Sequence, residues 1–168
     1  MKFCPMCGTI QSKSGLNVCE FCDYTEKPFK EYSQEEITEL MLPYKYELTG
    51  DGVRIITVKN ARSMRGALGV PHFVTEISAN AFADCKFLSR IELPKSLRLI
   101  GNGAFAYCED LFDLFIPASV DFVGKGAFSG CYELGVICVS TSIQPDGWDS
   151  DWLLGCSAKV EWSSIDEK

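Results

Sequence analysis

One spacing constrains this chain more than any other feature: Phe82, Phe105 and Phe128 stand 23 residues apart, and whole columns keep the same step. Cys85, Cys108 and Cys131 follow it, then Leu88, Leu111 and Leu134, then Ile91, Leu114 and Ile137, then Leu93, Ile116 and Val139. So do Pro71, Pro94 and Pro117, and the apolar sets Val74, Leu97, Val120, Ile143 and Ile77, Ile100, Val123. Ala81, Ala104 and Ala127 precede the phenylalanines. A unit this short cannot bury its apolar side alone. It must stack on the next, so the period predicts a solenoid.

Spacing within one unit assigns its parts. Phe82, Cys85 and Leu88 are three apart, which predicts a single helical or 3₁₀ turn. Ile91 and Leu93 are two apart, which predicts a strand with both side chains inward, ended by Pro94. Leu97 to Ile100, before Gly101, predicts a second extended stretch and a turn. The unit A-F-x-x-C-x-x-L-x-x-I-x-L-P-x-S-L-x-x-I-G resembles the BspA-like class of bacterial leucine-rich repeats, over residues 45–163. The resemblance implies a leucine-rich-repeat solenoid of three to four coils, with repeats over 68–144 and caps at 45–67 and 145–163. The first cap, YELTGDGVRIITVKN, reads as a hairpin: Tyr46 and Leu48, a turn at Gly50-Asp51-Gly52, then Val53, Ile55 and Val58. The second loses the period and carries Trp148, Trp152 and Trp162, suited to covering the last coil.

A different module stands first. Cys4, Cys7, Cys19 and Cys22 follow C-x2-C-x11-C-x2-C, and two facing C-x-x-C turns make the four-sulfur cage that zinc prefers. Residues 1–24 resemble a zinc ribbon. A four-thiolate site leaves no open coordination position, so the zinc is expected to be structural. Residues 25–44 read as a connector. Ser33 and Glu36 have capping-box spacing, and Ile37, Leu40 and Met41 share one face of a short helix that ends before Pro43.

The expected fold class is therefore a leucine-rich-repeat solenoid of parallel strands and short helical turns, preceded by a small zinc ribbon. Nine cysteines and no basic-then-apolar N-terminal pattern lead to an expectation of reduced thiols and a cytoplasmic protein. No apolar run is long enough for a membrane-spanning helix. The net charge is −7, and residues 68–168 hold seven Lys/Arg against fourteen Asp/Glu, which disfavours nucleic acid there. Residues 45–67 are locally basic, with Arg54, Lys59, Arg62 and Arg65.

Cys85 reads as a core rung: a small buried thiol between phenylalanine and leucine. The one histidine, His72, falls in the first coil, which leaves little for a thiol hydrolase built on Cys138 and His72. The strand positions flanking the inward residues point outward. They are Ala67, Arg90, Asp113 and Val136, then Gly69, Glu92, Phe115 and Cys138. Phe115, Val136 and Cys138 make an apolar end, open to a protein partner or covered by the C-terminal cap. The expectation is a non-enzymatic protein–protein interaction module with Arg90, Glu92, Asp113, Phe115, Val136 and Cys138 as partner-binding residues. Two alternatives stand beside it: nucleic-acid binding by the ribbon through Lys2, Phe3, Lys13 and Phe21, and a surface adhesin-type repeat protein.

Overall fold

The computed structural model describes residues 29–163 in full and the backbone of two short strands, β1 (Lys2–Phe3) and β2 (Ile10–Gln11), which pair antiparallel. Each coil of the solenoid contributes one strand to each of two sheets. The first sheet is wholly parallel and holds β5 (Arg65–Gly69), β7 (Phe87–Glu92), β9 (Asp113–Ile116), β11 (Val136–Val139) and β12 (Lys159–Trp162), in that order. The second runs β3 (Tyr44–Leu48), β4 (Val53–Val58), β6 (Val74–Ile77), β8 (Leu99–Ile100), β10 (Phe122–Val123). Only the hairpin β3–β4 is antiparallel there, and β4 joins β6 in parallel. The hairpin thus covers the first coil by extending its sheet.

The repeated columns are the core. Phe82, Phe105 and Phe128 are fully buried and stack with centroids 5.0 and 5.5 Å apart and ring planes at 19° and 4°. An aromatic ring set edge-on closes each end of this stack. Tyr44 lies 6.0 Å from Phe82 at 65°, and Trp152 lies 5.9 Å from Phe128 at 82°. Stacks of this kind stabilise beyond area burial because edge and face carry opposite partial charge. Beside the rings, the Cys108 thiol donates to the Phe82 carbonyl at 3.2 Å and the Cys131 thiol to that of Phe105 at 3.1 Å. The thiols of Cys131 and Cys85 on either side, together with burial, hold the Cys108 thiol above its usual range. All three thiols of the column are buried in the core, as the core-rung reading of Cys85 expects.

The segment Phe82–Leu88 is not the helical turn that its spacing suggests. Alternate N–H groups leave the coil: Asn80, Phe82 and Asp84 donate to the carbonyls of Asn102, Ala104 and Ala106 at 2.9, 2.8 and 2.9 Å. The intervening groups close reverse turns, Ala81 on Ser78, Ala83 on Asn80 and Cys85 on Phe82. A helix would direct all of these donors inside one coil and leave the next without a ladder. The alternation requires left-handed backbone at Asn80 (φ 56°) and Asp84 (φ 62°), and glycine takes over these places at Gly103, Gly126 and Gly130.

Helix α1 (Gln34–Leu40) starts at the expected capping box. Glu36 N–H donates to Ser33 Oγ at 3.2 Å, and Ser33 N–H to the Glu36 carboxylate at 2.7 Å. Its buried face, Ile37 and Leu40 with Met41, joins the solenoid core, and Tyr32 packs edge-on against Phe73 at 5.0 Å. Leu48, beside the hairpin tip, is exposed, and the β3–β4 register shifts between Lys45 and Tyr46.

The C-terminal cap differs from expectation in two ways. The 23-residue step survives in β12: Val136 pairs with Lys159 and Val139 with Trp162. Ile143, column mate of Val74, Leu97 and Val120, is 75 % exposed instead of buried. Trp148 is buried in its stead, its indole N–H donating to the Val120 carbonyl at 3.1 Å and its ring 5.0 Å from Trp152. Trp162 lies 5.7 Å from Trp148 and is partly buried.

Candidate interaction face

The outward positions of the first sheet form two straight columns, because parallel strands in register place every second side chain in line. Ala67, Arg90, Asp113, Val136 and Lys159 are successive partners, and so are Gly69, Glu92, Phe115, Cys138 and Glu161. The six expected partner-binding residues, Arg90, Glu92, Asp113, Phe115, Val136 and Cys138, therefore form one block of two columns on three adjacent strands. Phe115 is 40 % exposed within it. The C-terminal cap leaves this face open: β12 lies edge-on to β11 and extends the sheet, setting Lys159 beside Val136 and Glu161 beside Cys138.

Charge on the solenoid surface is organised between coils. Arg90 forks onto Asp113, Nε to Oδ1 at 3.1 Å and Nη2 to Oδ2 at 2.6 Å, while its guanidinium lies 5.0 Å from the Phe112 ring centroid. Arg65 stands over Phe87 at 4.2 Å. Lys86 reaches Glu109 at 2.6 Å and Arg98 reaches Asp121 at 3.7 Å, again one coil on. The hydrogen bond to Glu109, reinforced by its charge, raises the Lys86 ammonium above its ordinary value. In all three of these pairs the cation sits in one coil and the anion in the next.

Sequence reasoning missed Phe87, Phe112 and Arg65, since the L-x-x-I-x-L frame marks inward residues only. Opposite charges 23 residues apart were the available signal for the ion pairs.

Other constellations do not assemble. His72 lies between β5 and β6, 5.7 Å from Tyr32 and 5.5 Å from Phe73. Cys138 belongs to β11, three strand spacings from β5 or about 14 Å, so the two make no nucleophile–base pair. Among the described residues no group of three or more His, Cys, Asp or Glu is placed to hold a metal ion. The zinc ligands expected from the sequence, Cys4, Cys7, Cys19 and Cys22, lie outside the described residues, as do the side chains of Lys2, Phe3, Lys13 and Phe21. No helix among the described residues is long and apolar enough to cross a membrane.

Residues 66–147 match the family described as "BspA type Leucine rich repeat region (6 copies)". No curated protein matches the chain. Among solved structures, a leucine rich repeat protein of T. pallidum is 24% identical, with a TM-score of 0.34, over 58% of this chain and 69% of that one. A leucine rich cell surface protein from Faecalibacterium prausnitzii is 17% identical, with a TM-score of 0.33. That match covers 70% of this chain, which spans about half, 52%, of that protein. The cytoplasmic expectation is contradicted by this likeness to a cell surface protein and is withdrawn. It had rested on the nine cysteines and the lack of a signal pattern, neither of which assigns a compartment. The period, the paired parallel sheets and the family match agree: residues 66–147 form a leucine-rich-repeat-like solenoid that matches the BspA-type region, a fold known as a non-catalytic structural and binding module.

Proposed function

We propose that this chain is a non-enzymatic protein-binding module of the surface adhesin type. Its binding surface is the outward face of the first sheet around Phe115, with Arg90, Glu92, Asp113, Val136 and Cys138. One observation carries the reading: a large aromatic ring, 40 % exposed, held among partly buried Val136 and Cys138 on a rigid sheet. Exposed apolar clusters with polar neighbours mark interaction sites, and aromatic residues supply much of the energy at such sites. An acidic chain with net charge −7 disfavours the nucleic-acid alternative for the repeat region.

The test compares wild type and Phe115→Asp in capture of proteins from the surroundings of the producing cell, with thermal stability measured in parallel. Capture is expected to fail while stability changes by about 0.5 kcal/mol or less. A large loss of stability would make Phe115 a core residue and overturn the reading. Protease treatment of intact cells tests the surface setting, which requires the chain to be cleaved from outside. Structural zinc at Cys4, Cys7, Cys19 and Cys22 stays part of the proposal on spacing alone. One zinc per chain is expected in the same sample, falling to none in Cys4→Ser.

A further inference from the structure

β12 forms one end of the first sheet, with β11 on one side and, among the described residues, no strand on the other. Its ladder fixes which groups are left over. Lys159 and Ser163 donate to the Gly135 and Val139 carbonyls beside them at 2.9 and 3.1 Å. Successive residues of a strand turn their N–H and C=O to opposite sides, so Ala158, Val160 and Trp162 direct both groups to the open side. An edge of this kind is a template for another strand. The side chains alternate as well: Lys159 and Glu161 are exposed on the outward face, and Val160 and Trp162 are partly buried on the other. Lys159 and Glu161 lie 2.8 Å apart, so the edge carries one cation and one anion two places along.

We infer that this edge receives the β12 of a second copy of the chain, antiparallel, about a two-fold axis through Val160. The two open edges bond only where Ala158, Val160 and Trp162 meet one another. Centred on Val160, the pairing sets Val160 against Val160 of the second copy and Trp162 against its Ala158, a large side chain against a small one. Lys159 then faces Glu161 of the second copy, twice by symmetry, at the non-hydrogen-bonded positions where side chains come closest. The neighbouring registers are centred on Lys159 or on Glu161 and set like charges face to face. Charge thus selects one register of the three. The contact is isologous and closes at two copies. It keeps both outward faces on the same side of one continuous sheet, so two candidate interaction faces come to lie side by side. The inference does not depend on what those faces bind. Strands of four residues bury little area, so the association is weak and grows with concentration.

The experiment is sedimentation equilibrium of the full-length protein, with a reductant present to exclude disulfide-linked copies. Wild type is expected to pass from monomer to dimer as its concentration rises to about 1 mM. Lys159→Glu and Glu161→Lys each set like charges across the axis and should weaken the dimer about tenfold or more. Mixing these two variants should restore dimers, because each then faces opposite charge; a folding defect in either would not be rescued this way. Val160→Pro removes an N–H that points away from β11, and should abolish dimers while the cooperative thermal melt persists. Monomer throughout, assembly beyond two copies, no rescue on mixing, or dimers that survive in Val160→Pro overturn the inference.

Discussion

Tyr44 shows what a capping residue gives up. Its ring closes the phenylalanine stack edge-on, and its hydroxyl is buried with no hydrogen-bond partner. An unpaired buried hydroxyl costs about 1–3 kcal/mol, while the ring contributes the packing. Tyr44→Phe keeps the ring and is expected to raise stability by about 1 kcal/mol in chemical denaturation. The same residue predicts a pH dependence. Burial, with a smaller effect of Cys85, raises the Tyr44 phenol above its ordinary value. The folded chain therefore holds this proton to higher pH than the unfolded chain. Its contribution is complete below the unfolded value of about 10 and is lost as pH rises above it. Tyr44→Phe should flatten the decline between pH 9 and 11 (about one unit either side of that value).

At the scale of elements, local rules succeeded where hydrogen bonds close locally. The capping box of α1 and the hairpin β3–β4 were legible because Ser33, Glu36 and the Gly50-Asp51-Gly52 turn act within a few residues. The Phe82–Leu88 segment was misread because its donors alternate between its own turns and the next coil, which spacing does not reveal. The C-terminal cap was half legible: three tryptophans marked it, yet nothing local told which would enter the core. Trp148→Ala removes both the ring and its bond to Val120, and should destabilise by about 3–5 kcal/mol in urea unfolding. Ile143, held 75 % exposed, is not placed to fill the gap. A loss under 1 kcal/mol would mean that the loop repacks.

For the molecule as a whole, stability is shared between nearest neighbours along the stack. Exposed ion pairs such as Lys86–Glu109 and Arg98–Asp121 add little to stability, because solvent screens them. Their value is register, because a slip of one coil would set cations against Tyr132, Val136 and Gln144. Deleting residues 98–120, one full period, joins Leu97 to Asp121 and realigns every column. This shortened protein is expected to melt in a single cooperative transition at lower temperature. Deleting only 100–120 should abolish the cooperative melt by circular dichroism, since each later side chain then lands two places out of column.

The amino-acid sequence by itself determined the period, the solenoid, the buried columns and which strand positions face outward. It does so because each coil repeats the contacts of the one before, so the same residue types recur where the same packing recurs. Tertiary structure alone decided that Trp148 replaces Ile143, that β12 lies beside the outward face of the first sheet instead of over it, and that Arg65 and Arg90 settle on Phe87 and Phe112 while Phe115 stays open. The physical reason is one of neighbours. Interior coils meet copies of themselves, whereas ends and surfaces meet groups that no repeat specifies.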